Sequence, residues 1–143
     1  MMRIILILMV WAITACTTSS LNQEEKNVAH VKSMFDAFNR HDWKAMSEHY
    51  ADSALFLDPA LGTSYVYQSH QEIIDKYSAM QEMFPDIKDS VVTLFGKGDK
   101  VAVEFISSGA SGDSIKFALP ISCILTLEKN RIVKDATYYN NCE

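Results

Sequence analysis

The stretch Phe35–Pro59, FDAFNRHDWKAMSEHYADSALFLDP, decides the fold. Phe35 and Phe38 close an amphipathic helix, and Asn39-Arg40-His41 reads as a tight break. Asp42 is a fitting N-cap for a short second helix, with Trp43, Met46 and Tyr50 on one face. Ala54 to Leu57 is then an apolar strand, stopped by Pro59. An acid, Asp58, at the mouth of a strand with aromatic and apolar residues behind it predicts the rim of a small pocket.

Upstream, Val28, Val31, Met34, Phe35 and Phe38 recur at helical spacing, while Lys26, Asn27, Ser33 and Arg40 fall elsewhere. Asn22 with Glu25 is a capping-box signal for that helix, and the polar Thr17–Gln23 segment reads as a tether. Downstream, Leu61–Gln68 is loop or edge strand. Ser69-His70-Gln71-Glu72 is a capping box that opens a third helix, buried through Ile73, Ile74, Tyr77, Met80 and Phe84 and ended by Pro85.

From Ser90 the period changes from 3.6 to 2. Ser90–Phe95 is a strand, Gly96-Lys97-Gly98-Asp99 a turn, and Val101, Val103 and Phe105 alternate along the next strand. Gly109–Asp113 turns again, Ile115–Leu127 is a long strand, and Ile132–Tyr139 pairs back onto it through a two-residue loop at Glu128-Lys129-Asn130-Arg131. Three helices followed by an antiparallel meander specify an α+β domain with helices on one face of a curved sheet, cone-shaped like a cystatin half barrel. Such a shape leaves a hollow between sheet and helices.

The 143 residues, 48% apolar and 22% charged, suit one domain with a real core. A net charge of −5 with no Lys/Arg cluster argues against a nucleic-acid partner. Arg3 followed by the apolar run Ile4–Ile13 is a targeting segment, too short for the roughly 20 residues that span a bilayer. It ends in Ile13-Thr14-Ala15-Cys16, which resembles the lipobox of bacterial lipoproteins. That resemblance implies a signal over 1–15, a lipidated Cys16, a tether over 16–23 and a domain over 24–143. It also implies a lipid-anchored protein of the cell envelope, with Thr17 favouring the periplasmic side of the outer membrane over the inner membrane. Cys123 and Cys142 remain. The hairpin puts Cys123 opposite Ala136, some six residues short of Cys142, which disfavours a disulfide.

The frame Phe38-Asn39, Asp42-Trp43, Tyr50-Ala51, Asp52, Phe56 and Asp58-Pro59 resembles the SnoaL-like branch of the nuclear transport factor 2-like superfamily. So does the ending Glu128-Lys129-Asn130-Arg131-Ile132-Val133 with Tyr138-Tyr139-Asn140. The likeness spans roughly Glu24–Asn140 and specifies fold better than chemistry, because the superfamily holds isomerases, hydrolases, cyclases, dehydratases and binding domains. Asp58-Pro59 occupies the place of the general base of ketosteroid isomerase. The oxyanion-hole positions of that enzyme fall on Met34 and Ser122, and a thioether donates no hydrogen bond. The charged and polar set of limonene epoxide hydrolase falls on Leu55, Leu57, Phe105, Ser107 and Thr137, with no acid–arginine–acid relay. Polyketide cyclases keep an acid on the last strand, a part open to Asp135.

Two arguments about register conflict. The resemblance puts Asp135, Thr137 and Tyr139 on the cavity side, whereas alternation makes Leu119, Ile121, Cys123, Leu125 and Leu127 the most apolar face. In a regular hairpin these sets lie on opposite faces. Either a bulge or a dimer covering the outer face reconciles them, and superfamily habit favours the dimer. The expected pocket is lined by Met34, Tyr50, Phe56, Tyr77, Ser122, Thr137 and Tyr139, with Asp58 and Asp135 as catalytic candidates. Asp58 also suits a plain turn-capping role before proline. The histidines His30, His41, His49 and His70 show no metal spacing, and no Gly-rich phosphate loop follows a strand, so neither metal nor cofactor is expected. The leading expectation is a pocket for a small apolar or amphipathic molecule, with cofactor-independent proton transfer at Asp58. The alternative is a non-catalytic accessory or interaction domain with its cavity filled by Met34, Phe56 and Tyr77.

Overall fold

The computed structural model describes residues 5–112 and 115–140, with side chains from residue 22 onward apart from residue 115. The elements in order are α1 (Ile5–Asn39), α2 (Trp43–Ser47), β1 (Tyr50–Leu57), a 3-10 turn (Pro59–Leu61), β2 (Val66–Ser69), α3 (His70–Met83), β3 (Lys88–Lys97), β4 (Lys100–Ser111), β5 (Ile115–Glu128) and β6 (Arg131–Tyr138).

The first helix begins far upstream of the Asn22–Glu25 signal. No Gly or Pro interrupts residues 5–39, so nothing stops the helix from running through 16–23, the segment expected to be a tether. The Glu24 carboxylate accepts from the Gly98 backbone N–H at 2.8 Å and pairs with Lys97. Asn27, expected on the polar face, is buried because its amide donates to the Gly98 carbonyl. The leader and the Cys16 side chain lie outside the described side chains, and Cys142 lies outside the described residues. Among the described residues no helix is long and apolar enough to cross a membrane.

Local signals elsewhere are met. Asp42 accepts from the Ala45 N–H as N-cap of α2, although Tyr50, expected to share that helix's face, opens β1 instead. Ser69 and Glu72 form the reciprocal capping box of α3. Lys129 and Asn130 both adopt positive φ between the paired residues Glu128 and Arg131, the two-residue hairpin turn. His41, also at positive φ, makes the break after α1 and holds the Ile87 carbonyl at 2.8 Å.

All six strands form one sheet in the order β2-β1-β6-β5-β4-β3. It is mixed, which corrects the antiparallel expectation: β1 runs parallel to β6, because the connection between them passes through the other strands. Its inner face and the helices share one core, in which Val31, Met34, Phe35 and Phe38 of α1 meet Val101, Val103 and Phe105 of β4 and Leu125 of β5. Each such fully buried side chain contributes roughly 1.5–3 kcal/mol.

The register conflict is settled by a bulge. Leu127 pairs with Ile132, but Thr126 pairs with Lys134, leaving Val133 as the extra residue. Cys123 therefore faces Thr137 rather than Ala136, and Leu125 faces Asp135. The apolar row of β5 and the polar row of β6 share the inner face, so the argument for a dimer from register falls away. A second bulge, between Val91 and Thr93, lies on β3.

Candidate functional site

Between the inner sheet face and the three helices lies a cavity of about 510 Å³. Met34, Phe56 and Tyr77 form its walls without filling it, together with Phe38, Phe105 and Met80. Of the expected lining, Met34, Tyr50, Phe56, Tyr77, Thr137 and Tyr139 are present, with both acids Asp58 and Asp135. Ser122 is not. It is exposed and pairs with Tyr138 on the outer face, because strand alternation turns Ile121 and Cys123 inward instead.

On the β1–β6 wall every carboxylate is engaged. Asp58 follows β1 and is 5% exposed. Its Oδ1 accepts from the Ala60 N–H at 2.8 Å and from the Tyr139 hydroxyl at 2.7 Å, while Oδ2 takes the Lys76 ammonium. The turn-capping role and the pocket-facing role thus belong to one side chain. Burial raises its pKa, but attraction to Lys76 and these hydrogen bonds outweigh burial and hold it below the usual carboxylate range. The Tyr139 hydroxyl is pushed up to about 12, by burial first and by Asp58 second.

Asp135 lies beside Phe56 in the parallel β1–β6 register and is buried. Tyr50 donates to Oδ2 at 2.9 Å and Thr137 to Oδ1 at 2.7 Å. Burial raises the Asp135 pKa despite those donors, and burial with the neighbouring acid drives the Tyr50 hydroxyl well above its ordinary value. Cys123, buried beside it, is likewise held as a thiol.

The sequence reading missed Asp89. It sits on β3 opposite Ser107 of β4, lines the cavity and is 6% exposed. Its Oδ1 is buried and accepts no hydrogen bond. Burial lifts its pKa to about 7, offset in part by Ser107. Asn39 clamps its backbone, donating from Nδ2 to the Asp89 carbonyl and accepting from the Asp89 N–H, both at 2.8 Å. Asn39 ends α1, and the pairing of an asparagine at a helix end with an acid fifty residues away has no local sequence signal. Among the described residues no group of three or more His, Cys, Asp or Glu could hold a metal ion.

Residues 31–134 match the SnoaL-like domain family. No curated protein sequence matches the chain. Solved structures with the same fold include a hypothetical protein from Catenulispora acidiphila DSM 44928, with a ketosteroid isomerase-like fold and in complex with trimethylamine. It superposes at TM-score 0.69 with 18% identity, over 78% of this chain and 85% of that one. IdmH from Streptomyces antibioticus, a proposed polyketide cyclase, gives TM-score 0.71 and 20% identity over 80% and 92%. An LEH-like epoxide hydrolase of M. tuberculosis gives 0.69 and 13% over 82% and 85%. At these identities the likeness is one of fold.

Proposed function

Since the chain belongs to the SnoaL-like domain family, within the nuclear transport factor 2-like superfamily, we propose that it binds a small, mostly apolar molecule and moves a proton on it without metal or cofactor. The observation that carries this reading is the open cavity with a polar end at Asp58, Lys76 and Tyr139. An apolar chamber with a few convergent polar groups is the usual form of a small-molecule site. One fold neighbour was captured with a small amine, trimethylamine, which accords with a small-molecule role.

In this mechanism a ligand carbonyl displaces Asp58 from part of its network and takes hydrogen bonds from the Lys76 ammonium and the Tyr139 hydroxyl. The freed Asp58 carboxylate accepts a proton from the adjacent carbon, and the developing enolate oxygen stays on the two donors. Asp135, on the same wall, holds the Tyr50 and Thr137 hydroxyls in place. The test is hydrogen–deuterium exchange at the α-carbon of α-tetralone in D₂O, followed by NMR. The full chain should accelerate exchange over buffer, and Asp58→Asn should remove the acceleration. Exchange at the buffer rate would sink the proton-transfer step.

The leader motif supports placing this pocket at an envelope membrane through a lipid on Cys16, since several buried acyl chains hold a protein at a bilayer. The full chain expressed in a bacterium should partition into detergent, and Cys16→Ser should stay in water; equal partitioning would refute the anchor. A second reading is favoured by the outer sheet face. Cross-strand pairing lines up Phe95, Ala102, Ile124, Ala136 and Leu57 there, with Phe95 59% and Ile124 44% exposed. A second copy would cover this row, and sedimentation showing a monomer at high concentration would exclude it.

A further inference from the structure

Three carboxylates reach the cavity, and two already have answering groups. Asp58 holds Lys76 and Tyr139, and Asp135 holds the Tyr50 and Thr137 hydroxyls. Asp89 has a buried oxygen with no donor. Two hydrogen bonds with Asn39 clamp its backbone and fix its place on the inner face of β3. A buried acceptor left unpaired is costly to the native state, and a ligand that supplies a donor recovers that loss.

We propose that Asp89 anchors the protonated nitrogen of an amine ligand whose apolar body lies against the aromatic and methionine walls of the cavity. The inference rests on the pocket reading above and names the class of molecule. Charge selects the amine over its alternatives. The lining carries three acids against one ammonium, Lys76, which Asp58 already engages, so an anionic ligand is repelled. A neutral alcohol offers Oδ1 a donor but leaves a carboxylate unpaired in an apolar site. Aromatic rings line the same walls, among them Phe105, Tyr77 and Phe38, and an aromatic ring attracts a cation. A hydrogen bond from a charged donor is also about twice as strong as a neutral one.

Asp89 shares the cavity lining with Tyr77 of α3, Cys123 of β5 and Asp135 of β6, while α1 and β4 present Asn39 and Ser107 to it. Of these, Tyr77 and Cys123 stay neutral through the physiological range. Asp135 is the other group whose ionisation is opposed by burial, so the test needs a variant that separates the two acids.

The experiment is calorimetric titration of the full chain at about pH 8 with 2-phenylethylamine, 2-phenylethanol and phenylacetate, three probes of similar shape and different charge. The amine should bind at least about tenfold tighter than the alcohol, with phenylacetate weakest, and Asp89→Asn should erase the amine's advantage. A second measurement varies pH. In the unaltered chain the amine's affinity should fall about tenfold from pH 8 to pH 5 while the alcohol's stays level, and in Asp89→Asn the amine's fall should be absent. An alcohol that matches the amine, an advantage that survives Asp89→Asn, or an amine affinity indifferent to pH overturns the proposal and leaves the pocket reading standing. If none of the three probes binds, both fall together.

Discussion

The two walls of the cavity treat the same functional group in opposite ways. On the β1–β6 wall, Asp58 and Asp135 are wrapped in five donors: the Ala60 N–H, the Lys76 ammonium and the hydroxyls of Tyr139, Tyr50 and Thr137. On the β3–β4 wall, Asp89 is as deeply buried, yet one oxygen has no partner. The first wall resembles a finished polar network inside a core. The second keeps a polar atom at a loss to stability, which a folded protein tolerates where the atom has other work. Burial alone therefore does not tell the two walls apart; the unpartnered oxygen does.

The contrast breaks most sharply if Lys76 is removed. Lys76→Met leaves the Asp58 carboxylate buried without its cation, and the variant should lose about 3–5 kcal/mol at neutral pH. In the intact chain Asp58 has a lowered pKa. Its contribution is therefore present above its unfolded value of about 3.8 and is lost as pH falls through the lower folded value. Without Lys76, only the Ala60 and Tyr139 hydrogen bonds offset burial, so the variant should lose most at pH 7 and least at pH 3. Urea denaturation at both values checks this, and an equal loss at both would refute it.

Asp89→Asn should move stability the other way. The folded Asp89 has a pKa of about 7 against 3.8 unfolded, so between these values the native state holds a proton that the unfolded chain has released. Stability therefore declines as pH rises across that window and stays lower above it. An amide cannot ionise, so the variant should nearly equal the parent near pH 4 and exceed it by about 4 kcal/mol near pH 8. A variant that is less stable at pH 8 would mean that Asp89 is satisfied after all, and the difference between the walls would vanish.

Much of this was legible from residues near one another in the chain. The Ser69–Glu72 box, the Asp42 cap, the His41 break and the Lys129-Asn130 turn are local devices, and each stands where its few residues demand. Asp58, Tyr139, Tyr50 and Thr137 were readable through the family likeness around β1 and β6, on or just past those strands. What escaped was set by long-range pairing. The Val133 bulge carries no Gly or Pro to announce it, yet it decides that Asp135 faces inward. Ser122 was assigned to the pocket and alternation puts it outside. Asp89 escaped because its clamp, Asn39, lies fifty residues away, and because the strand was read from Ser90, one residue past it.

The smallest change tests whether the engaged wall is as settled as it looks. Tyr50→Phe removes one donor from Asp135 and leaves Thr137 as its only side-chain partner there. The loss should be about 1.5 kcal/mol, well below that of Lys76→Met. The reason lies in the direction of the Asp135 shift. Burial already favours its neutral form, so a missing donor is met by holding a proton rather than by stranding a charge. The remaining stability of Tyr50→Phe should then decline as pH rises, since the variant gains from a proton that alkali removes. A loss as large as that of Lys76→Met at every pH would show that Asp135 is anionic and depends on Tyr50 as strongly as Asp58 depends on Lys76. In that case the wall would hold two charges rather than one, and Asp89 would be the lesser of the cavity's strains.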